Sequence, residues 1–376
     1  MKGIKIKRFI LSAVSILFLT TGFSQTRKEL SIPDIPGYIT LKCDFHMHTV
    51  FSDGSVWPTT RVIEAWLQGL DAISITDHLE NYPRKKELIG DDNTSYDIAA
   101  PKAKQLGLLL VKAAEITKSM PPGHFNTLFI KDANPLDLAD HRKALQIAHE
   151  QGAFVMWNHP GWKAQAPDSA IWYDEHSYLY EKGWFQGIEI FNSDESYGLK
   201  VYTWAKEKKL AIFANTDIHG VVNMKYDLEN SHRPMTLVFS KEKTLDGIKE
   251  ALFSKRTAAY FNDTIIGHEP ELSELFKASI DIKNKEIKVR KNKTDYIHIS
   301  NNSDLDYELI LNKESDNFFV PDQIILKAHQ TSLLPITGKT KIINKIEEIT
   351  LPYLVGNLVV LPDKNLNVYL KVKNLN

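Results

Sequence analysis

Short apolar runs alternate with amphipathic stretches from residue 39 to about residue 262. The amphipathic stretches repeat apolar residues at intervals of three and four, as in the segment after Pro58, and this period is typical of helices. The apolar runs predict strands at Ile39–Phe45, Ala72–Thr76, Leu108–Ala113, Phe125–Ile130, Ala153–Trp157, Gly187–Phe191, Leu210–Ala214 and Met235–Phe239. Strands that alternate with helices predict a parallel sheet, and seven or eight such units in this length predict a closed or nearly closed α/β barrel.

The pattern changes after about residue 270, where short strand-like runs replace the helical periodicity. The predicted strands are Ala278–Ile282, Glu286–Val289, Tyr296–Ser300, Tyr307–Leu311, Thr331–Pro335, Glu348–Leu351 and Asn367–Val372. Turn residues such as Lys283-Asn284 separate them. This region predicts a small all-β sandwich, immunoglobulin-like in layout. We therefore expect two folded domains, a barrel over residues 25–270 and a sandwich over residues 271–376.

The N-terminal residues differ from the rest of the chain. Four basic residues between positions 2 and 8 precede the uncharged apolar run Phe9–Thr20, and small residues follow it. This order is typical of a secretory signal peptide, which we place at residues 1–24. The apolar run is shorter than the ~20 residues of a membrane span. We therefore expect a secreted or periplasmic protein that has no membrane anchor after cleavage.

Cysteine content and net charge limit the disulfides and the binding partners that the chain can have. Cys43 is the only cysteine among 376 residues, so no intrachain disulfide can form, and its place in a predicted strand favours a buried, unreactive thiol. The formal net charge is −1. Without a basic excess, we expect no strong binding to nucleic acid.

Imidazole and carboxylate side chains stand at the ends of the predicted strands. The first strand ends in Asp44-Phe45-His46-Met47-His48. Further strand ends carry polar residues in the same way: His78, Glu115, Asn158, His159, Asn192, Asp217 and His219. Ligands bind at the carboxyl ends of the strands in parallel sheets and barrels. We therefore expect these groups, which are far apart in the sequence, to meet at one rim.

These residue types in this spacing favour a metal site. Imidazole and carboxylate groups suit zinc, manganese and iron. Alternate residues of a strand point to the same face, so His46 and His48 can bind one ion together, and Asp217 and His219 repeat that spacing. Several cations held close together need anionic bridges, for which Glu115 and Asp217 are candidates. A single His-x-His would be weak evidence, but five independent strand ends favour a metal centre over structural histidines.

At these residues the chain resembles the polymerase and histidinol phosphatase (PHP) family. The motifs of that family occur in order as Asp44–Thr49 with Ser52–Gly54, Thr76–His78, Glu115, Gly123-His124, Asn158–Pro160 and Asp217–His219. The resemblance implies a distorted (β/α)7 barrel with two or three divalent metal ions, which are manganese, zinc or iron. It also supports a metal role for His124, which precedes a predicted strand instead of following one. The C-terminal β region lies outside the resemblance and is expected to be an accessory domain.

The resemblance also implies how the ligands are shared among the ions. The sets are His46, His48, Glu115 and Asp217 for one ion, Glu115, His124 and His159 for a second, and Asp53, His78 and His219 for a third. Asp53 replaces a histidine that some members of the family have at this place.

The function expected from these features is hydrolysis of phosphate mono- or diesters of small molecules or nucleotides by metal-bound hydroxide. Asp217 and His219 are the catalytic candidates for proton transfer to the leaving group. Lys163 and Arg233 are the candidate phosphate contacts, and Arg84 and Lys225 are weaker ones. Arg233 stands directly before a predicted strand.

Two other functions are compatible with the same residues. A metal-dependent amidohydrolase shares a barrel and an opening His-x-His, but it usually has a bridging lysine where this chain has Glu115. A non-catalytic extracellular binding protein could keep metal ions for structure alone. A structural site needs only one closed coordination shell, so the number of ligand types disfavours this last alternative.

Overall fold

The computed structural model describes residues 26–375, apart from the side chain of Asn344. The predicted signal peptide at residues 1–24 lies outside this range. The structure has an N-terminal region of mixed strands and helices, followed by an all-β region, which confirms the predicted fold class. In the part of the chain that the structure describes, no helix has both the length and the apolar character that a membrane crossing requires.

The α/β region contains every strand that the sequence pattern predicts there, with small differences at the ends. Its strands are β1 (Ile39–Asp44), β2 (Ala72–Ile75), β3 (Leu109–Ile116), β4 (Phe125–Leu128), β5 (Phe154–Trp157), β6 (Gly187–Asn192), β7 (Glu195–Ser196), β8 (Ala211–Asn215), β9 (Met235–Ser240), β10 (Thr257–Phe261) and β11 (Thr264–Gly267). Its helices are α1 (Pro58–Leu67), α2 (Thr94–Leu106), α3 (His141–Glu150), α4 (Asp174–Glu181), α5 (Gly198–Glu207), α6 (Val222–Lys225) and α7 (Leu245–Phe253). The hairpin of β10 and β11 is missing from the predicted set.

Apolar residues at helical spacing also follow Pro135 and predict a helix there, but the helix begins later than this pattern indicates. Residues Asn134–Leu136 form only a 3-10 turn, and α3 begins at His141. The side chain of Asp140 accepts hydrogen bonds from the backbone N–H groups of Arg142, at 3.0 Å, and Lys143, at 3.3 Å. An N-terminal cap of this kind fixes the first turn, so the cap decides where the helix starts.

Most of the longer strands around the barrel are parallel, but β4 and β9 are reversed. Strands β1, β2 and β3 are parallel, as are β5, β6 and β8. Strand β4 is antiparallel to both β3 and β5, and β9 is antiparallel to β1. Only residues 117–124 join β3 to β4, and a parallel crossover needs a dozen or more. As a result, the first residue of β4 lies at the same rim as the carboxyl ends of its neighbours.

Apolar side chains fill the interior of the barrel. The cluster comprises Leu41, Cys43, Phe45, Ala72, Val111, Ala113, Leu128, Phe154, Met156, Ala211, Phe213 and Val238, together with Ile248, Ala251 and Leu252 of α7. Cys43 is fully buried and unpaired, as predicted, and burial raises the pKa of its thiol well above the usual value. A thiol that stays protonated is a poor nucleophile. This packed interior provides a rigid base for the rim above it.

The C-terminal region forms two packed sheets. Its strands are β12 (Ile280–Ile282), β13 (Glu286–Ile287), β14 (Thr294–Asn301), β15 (Tyr307–Leu311), β16 (Phe318–Phe319), β17 (Gln323–Leu326), β18 (Thr331–Gly338), β19 (Glu348–Val360) and β20 (Lys364–Asn374). One sheet has the order β12-β14-β18-β16. In the other sheet β19 pairs with both β15 and β20, while β17 pairs with β15 and β13 pairs with β20.

The two regions are joined by direct contacts. Strand β11 of the α/β region pairs in parallel with β19, so one sheet continues into the sandwich. Helix α8 (Glu269–Ser279) connects the regions in sequence, and the predicted domain boundary at residue 270 falls inside it. The side chain of Asn357 donates hydrogen bonds to the backbone oxygens of Asp263, at 2.9 Å, and Asp306, at 2.8 Å.

Candidate metal centre

Six histidines and three carboxylates meet at one rim of the barrel. They are the nine predicted ligands, His46, His48, Asp53, His78, Glu115, His124, His159, Asp217 and His219. The residues form overlapping groups of three or four, and within each group the ligand atoms lie within 4.8 Å of one another. The structure therefore brings together all the residues that the strand-end pattern and the resemblance singled out as ligands.

Two carboxylates stand at the middle of this cluster. Oε2 of Glu115 lies 3.5 Å from Nε2 of both His46 and His48, and 2.7 Å from Nδ1 of His78. Oδ1 of Asp217 lies 2.9 Å from Nε2 of His48 and 3.2 Å from Nε2 of His46. Each carboxylate thus faces more than one imidazole, which is the placement that a bridging ligand requires.

His124 and His159 approach Glu115 from the side of β4 and β5. Nδ1 of His124 lies 3.1 Å from Oε1 of Glu115, and Nε2 of His159 lies 3.7 Å from the same oxygen. His124 precedes β4, and His159 follows β5. The reversed direction of β4 explains why a residue before a strand and a residue after a strand reach the same carboxylate.

The third group lies at the open side of the cluster. Oδ1 of Asp53 lies 3.1 Å from Nε2 of His219 and 3.6 Å from Nε2 of His78. The side chains of Asp53 and His219 are 32% and 39% exposed, whereas those of His46 and His48 are fully buried. A ligand that arrives from solvent would meet this group first.

Several buried polar atoms of the cluster have no hydrogen-bond partner. They are Nε2 of His46, Nε2 of His48, Oδ1 of Asp53, Oε2 of Glu115 and Oδ1 of Asp217. Their distances to one another are short, but their geometry is not that of hydrogen bonds. An unsatisfied buried polar group costs about 1–3 kcal/mol, so such a concentration needs compensation. Imidazole nitrogens and carboxylate oxygens are the donor set of zinc, manganese and iron, and the residues therefore fit a group of divalent cations.

Mutual interactions shift the pKa values of the ligands. Burial, together with repulsion by His78 and His219, lowers the pKa of His48 to about 3. Burial alone would raise the pKa of Asp217, but His46 and His48 outweigh it and hold that pKa well below the usual range. At neutral pH, Asp217 is therefore ionised and His48 is neutral. These are the forms that bind cations.

A buried glutamate behind the cluster was not singled out by the sequence pattern. Oε1 of Glu189 lies 2.9 Å from Nδ1 of His46 and accepts a hydrogen bond from the amide of Asn215 at 2.9 Å. Its Oε2 accepts from the backbone N–H of His159 and from the amide of Asn192, both at 2.8 Å. A carboxylate within the otherwise apolar strand β6 was the available signal in the sequence.

Arg61 fixes the backbone of the two loops that carry most ligands. Its guanidinium is fully buried and donates to the backbone oxygens of His48, at 2.9 Å, Ile218, at 2.9 Å, and Gly220, at 2.7 Å. It also donates to Oε2 of Glu64 at 2.8 Å. The loop after β1 and the loop after β8 are thereby held in one relative position.

Of the two predicted substrate contacts, Arg233 is buried and Lys163 is exposed. Arg233 is 1% exposed, and its guanidinium contacts the carboxylate of Asp44 and Oε1 of Gln68. This placement does not fit the predicted contact with substrate, because the side chain is buried and both of its terminal NH2 groups have partners inside the protein. Lys163 is exposed and follows Trp162, whose ring centroid lies 5.3 Å from that of His159.

The two weaker candidates are held by neighbouring loops. Arg84 donates to the backbone oxygen of Gly54 at 2.9 Å, and so supports the loop that carries Asp53. The ammonium group of Lys225 contacts the hydroxyl of Ser193 and lies 3.7 Å from Oδ1 of Asp194.

An α/β barrel with imidazole and carboxylate side chains gathered at one rim is typical of the class of barrel proteins that have a metal centre. A two-domain protein from Bacteroides vulgatus ATCC 8482, which contains a predicted PHP-like metal-dependent phosphoesterase, is 41% identical to this chain. The match covers 93% of this chain and 100% of that chain, and the TM-score between the structures is 0.88. The chain therefore belongs to the family of two-domain proteins with a PHP-like metal-dependent phosphoesterase region.

The remaining comparisons match only part of this chain or find no match. A family model described as an Ig-like domain matches residues 280–371, which agrees with the predicted sandwich. No curated protein matches the chain. A candidate metal-dependent phosphoesterase from Bifidobacterium adolescentis is 16% identical, with 47% of this chain and 87% of that chain covered. An amidohydrolase from Chromobacterium violaceum with bound sulfate and no metal is 15% identical, with 48% of this chain and 88% of that chain covered. Both structures have a TM-score of 0.37.

Proposed function

We propose that this chain is an exported metal-dependent phosphoesterase that hydrolyses phosphate mono- or diesters of small molecules or nucleotides. The carboxylate of Glu115 carries the proposal, because it lies within 3.7 Å of ring nitrogens of five histidines: His46, His48, His78, His124 and His159. A single cation does not need so many ligands around one carboxylate. Two or three cations held together suit displacement at phosphorus, where the attacking and the leaving oxygen both need stabilisation.

The residues of the chain divide the work of holding these ions. Divalent cations, when bound, would supply a water of lowered pKa and positive charge next to the phosphoryl oxygens. His46, His48, Glu115 and Asp217 would hold one ion at the buried end. Asp53, His78 and His219 would hold another at the open side. Glu115, His124 and His159 would hold the ion between β3 and β5. Manganese, zinc and iron all suit this donor set.

The proton for the leaving group would come from a water at the exposed side of the cluster, next to the two candidate residues, because an imidazole that binds a cation through one nitrogen and donates the other N–H to a backbone oxygen has no proton of its own to transfer. Of the two candidates, Asp217 is enclosed by histidines, whereas the side chain of His219 is 39% exposed. Nδ1 of His219 lies 2.8 Å from the backbone oxygen of Asp217, which orients the ring and directs Nε2 towards the side of Asp53. His219 is therefore the better placed of the two to meet a substrate. Lys163, on the loop after β5, is the proposed contact for a substrate phosphate.

The place of action is proposed from the N-terminal sequence. Basic residues followed by an uncharged apolar run support a cleaved signal peptide and a secreted or periplasmic enzyme. Such an enzyme would meet phosphoesters outside the cytoplasm.

The proposed activity can be tested with simple esters. The mature chain is stripped of metal, reloaded with manganese, zinc or iron, and assayed with p-nitrophenyl phosphate, bis(p-nitrophenyl) phosphate and an N-acetyl amino acid amide. We expect metal-dependent hydrolysis of at least one phosphate ester, and a fall to background in His48→Ala. His149→Ala, which removes an exposed histidine of α3, is the matched control and should retain activity. Hydrolysis of the amide alone, or activity that survives in His48→Ala, would overturn the proposal.

A further inference from the structure

Gln165 reaches the ring of His124 from outside the metal cluster. Its Nε2 lies 3.0 Å from Nε2 of His124 and donates to the backbone oxygen of Lys118 at 3.1 Å. The turn that carries it is fixed by backbone hydrogen bonds, from the N–H of Trp162 to the oxygen of His159 and from the N–H of Gln165 to the oxygen of Trp162, both 2.9 Å long. The amide of Gln165 is thereby held against a predicted metal ligand.

The two ring nitrogens of His124 face different partners. Nδ1 lies 3.1 Å from Oε1 of Glu115, inside the cluster, whereas Nε2 faces the amide of Gln165. A neutral imidazole has one N–H donor and one acceptor nitrogen, and an amide NH2 group only donates. Nε2 is therefore the acceptor, and the proton resides on Nδ1. In this tautomer Nδ1 has no lone pair to offer to a cation next to Glu115.

We infer that Gln165 is a positioning residue whose amide orientation decides whether His124 binds a cation. When the amide is turned by half a revolution, Oε1 faces Nε2 of His124 and accepts its N–H. The lone pair of Nδ1 is then free and directed towards Glu115. Hydrogen bonding to the second ring nitrogen is the usual way in which an outer residue orients a metal-bound histidine.

A second observation supports a turn of this amide. Oε1 of Gln165 is buried and has no hydrogen-bond partner in the orientation that the structure shows. The turned amide gives up the bond to the backbone oxygen of Lys118, and coordination of a cation by His124 must offset that loss. The two orientations therefore belong to different states of the site. One favours the metal-free ring, and the other favours the metal-bound ring.

The exposed side chain of Trp162 lies next to the same histidines. The ring centroid of Trp162 lies 5.8 Å from that of His124 and 5.3 Å from that of His159, and Trp162 and Gln165 belong to one turn. The Gln165 amide therefore lies on the turn that also carries the exposed indole beside the cluster. This inference requires that the cluster binds cations, but it does not depend on which ester is hydrolysed.

The test combines ring NMR with a metal titration. Two-dimensional 1H–15N spectra of the histidine rings identify the tautomer of His124, whose signals are assigned from a His124→Gln variant. Calorimetric titration with zinc then gives the affinity and number of the bound ions. The variants are Gln165→Leu, which offers no acceptor, and Gln165→Glu, which always offers one. Gln146→Leu, on the exposed face of α3, is the matched control.

We expect the metal-free protein to hold His124 as the Nδ1–H tautomer, and zinc to shift the proton to Nε2. Gln165→Leu should weaken the binding of one ion about 10- to 100-fold and leave the others unchanged. Gln165→Glu should give the Nε2–H tautomer even without metal, and should tighten the same ion. An Nε2–H tautomer in the metal-free wild type, or a Gln165→Leu titration identical to that of the wild type, would overturn the inference. A wild type that binds no zinc would overturn the metal centre as well.

Discussion

Nδ1 of His46 lies 2.9 Å from Oε1 of Glu189, and both side chains are fully buried. The carboxylate fixes the orientation of the ring and directs Nε2 towards the cluster, where it has no hydrogen-bond partner. All four groups that contact Glu189 can donate, so its two oxygens act only as acceptors. Outer carboxylates of this kind orient metal-bound histidines and increase their basicity.

Glu189→Gln should therefore weaken metal binding. An NH2 group in place of one oxygen would face a donor, which disturbs either His46 or the backbone of His159. We expect the affinity for the most tightly held cation to fall about 10- to 100-fold, measured by calorimetric titration of the metal-free protein. Glu207→Gln, at the exposed end of α5, is the matched control. An unchanged affinity in Glu189→Gln would show that His46 does not depend on this carboxylate.

Arg61 should be essential for stability because four acceptors depend on it. Arg61→Met removes one donor from each of three backbone oxygens, of which only that of Ile218 keeps another, the N–H of His48, and it leaves Glu64 without its ion pair. We expect the free energy of unfolding to fall by about 3–5 kcal/mol, measured by urea denaturation of the metal-free protein. Arg61→Lys should have an intermediate effect, because an ammonium group cannot reproduce the geometry of the guanidinium. A loss below about 1 kcal/mol in Arg61→Met would contradict this role.

Arg233 and Lys163 should respond to substitution in opposite ways. Arg233→Met leaves the buried carboxylate of Asp44 unpaired, so we expect a loss of about 3–5 kcal/mol in the free energy of unfolding. Adding Asp44→Asn to the Arg233→Met variant should restore part of the lost free energy of unfolding. Lys163→Ala should leave stability unchanged and raise KM for a phosphate ester, because Lys163 is exposed beside the rim. A stable Arg233→Met variant with a raised KM would return Arg233 to the role of a substrate contact.

Metal binding should release protons near neutral pH. Burial alone would lower the pKa of His78, but the carboxylate of Glu115 outweighs it and raises that pKa to about 9. Below this pH the metal-free ring is protonated, and a cation must displace the proton. The apparent affinity should therefore rise as the pH increases towards about 9. Calorimetry at pH 7 in buffers of different ionisation enthalpy counts the released protons, and His78→Asn should lower that count by about one. The absence of proton release in the wild type would contradict the protonated state of His78.

The strand ends of the barrel could be predicted from the sequence because their signal is local. Each apolar run is followed at once by its polar residue, as in β5 with His159 and β8 with Asp217. Parallel strands bring their carboxyl ends to one rim, so local order was enough to bring these residues together. The position of His124 could not be derived in this way, because it depends on the reversed direction of β4.

Roles that depend on burial and on long-range contacts were not visible in the sequence. The role of Arg233 depends on Asp44, far away in the chain, and a basic residue before a strand gives no sign of such a partner. The β10–β11 hairpin did carry a local signal, since Asn262 and Asp263 form its turn with φ values of +49° and +56°. Both residue types tolerate this left-handed conformation, which two-residue hairpin turns require.

Anomalous diffraction from crystals of the manganese-loaded protein tests the metal centre most directly. Data collected on both sides of the manganese absorption edge locate the ions without reference to any assumed ligand. We expect anomalous peaks within about 2–2.5 Å of the ligand atoms of His46, His48 and Asp217, and a further peak beside Glu115. A manganese-loaded crystal without a peak at these residues would contradict the central claim that this rim binds cations.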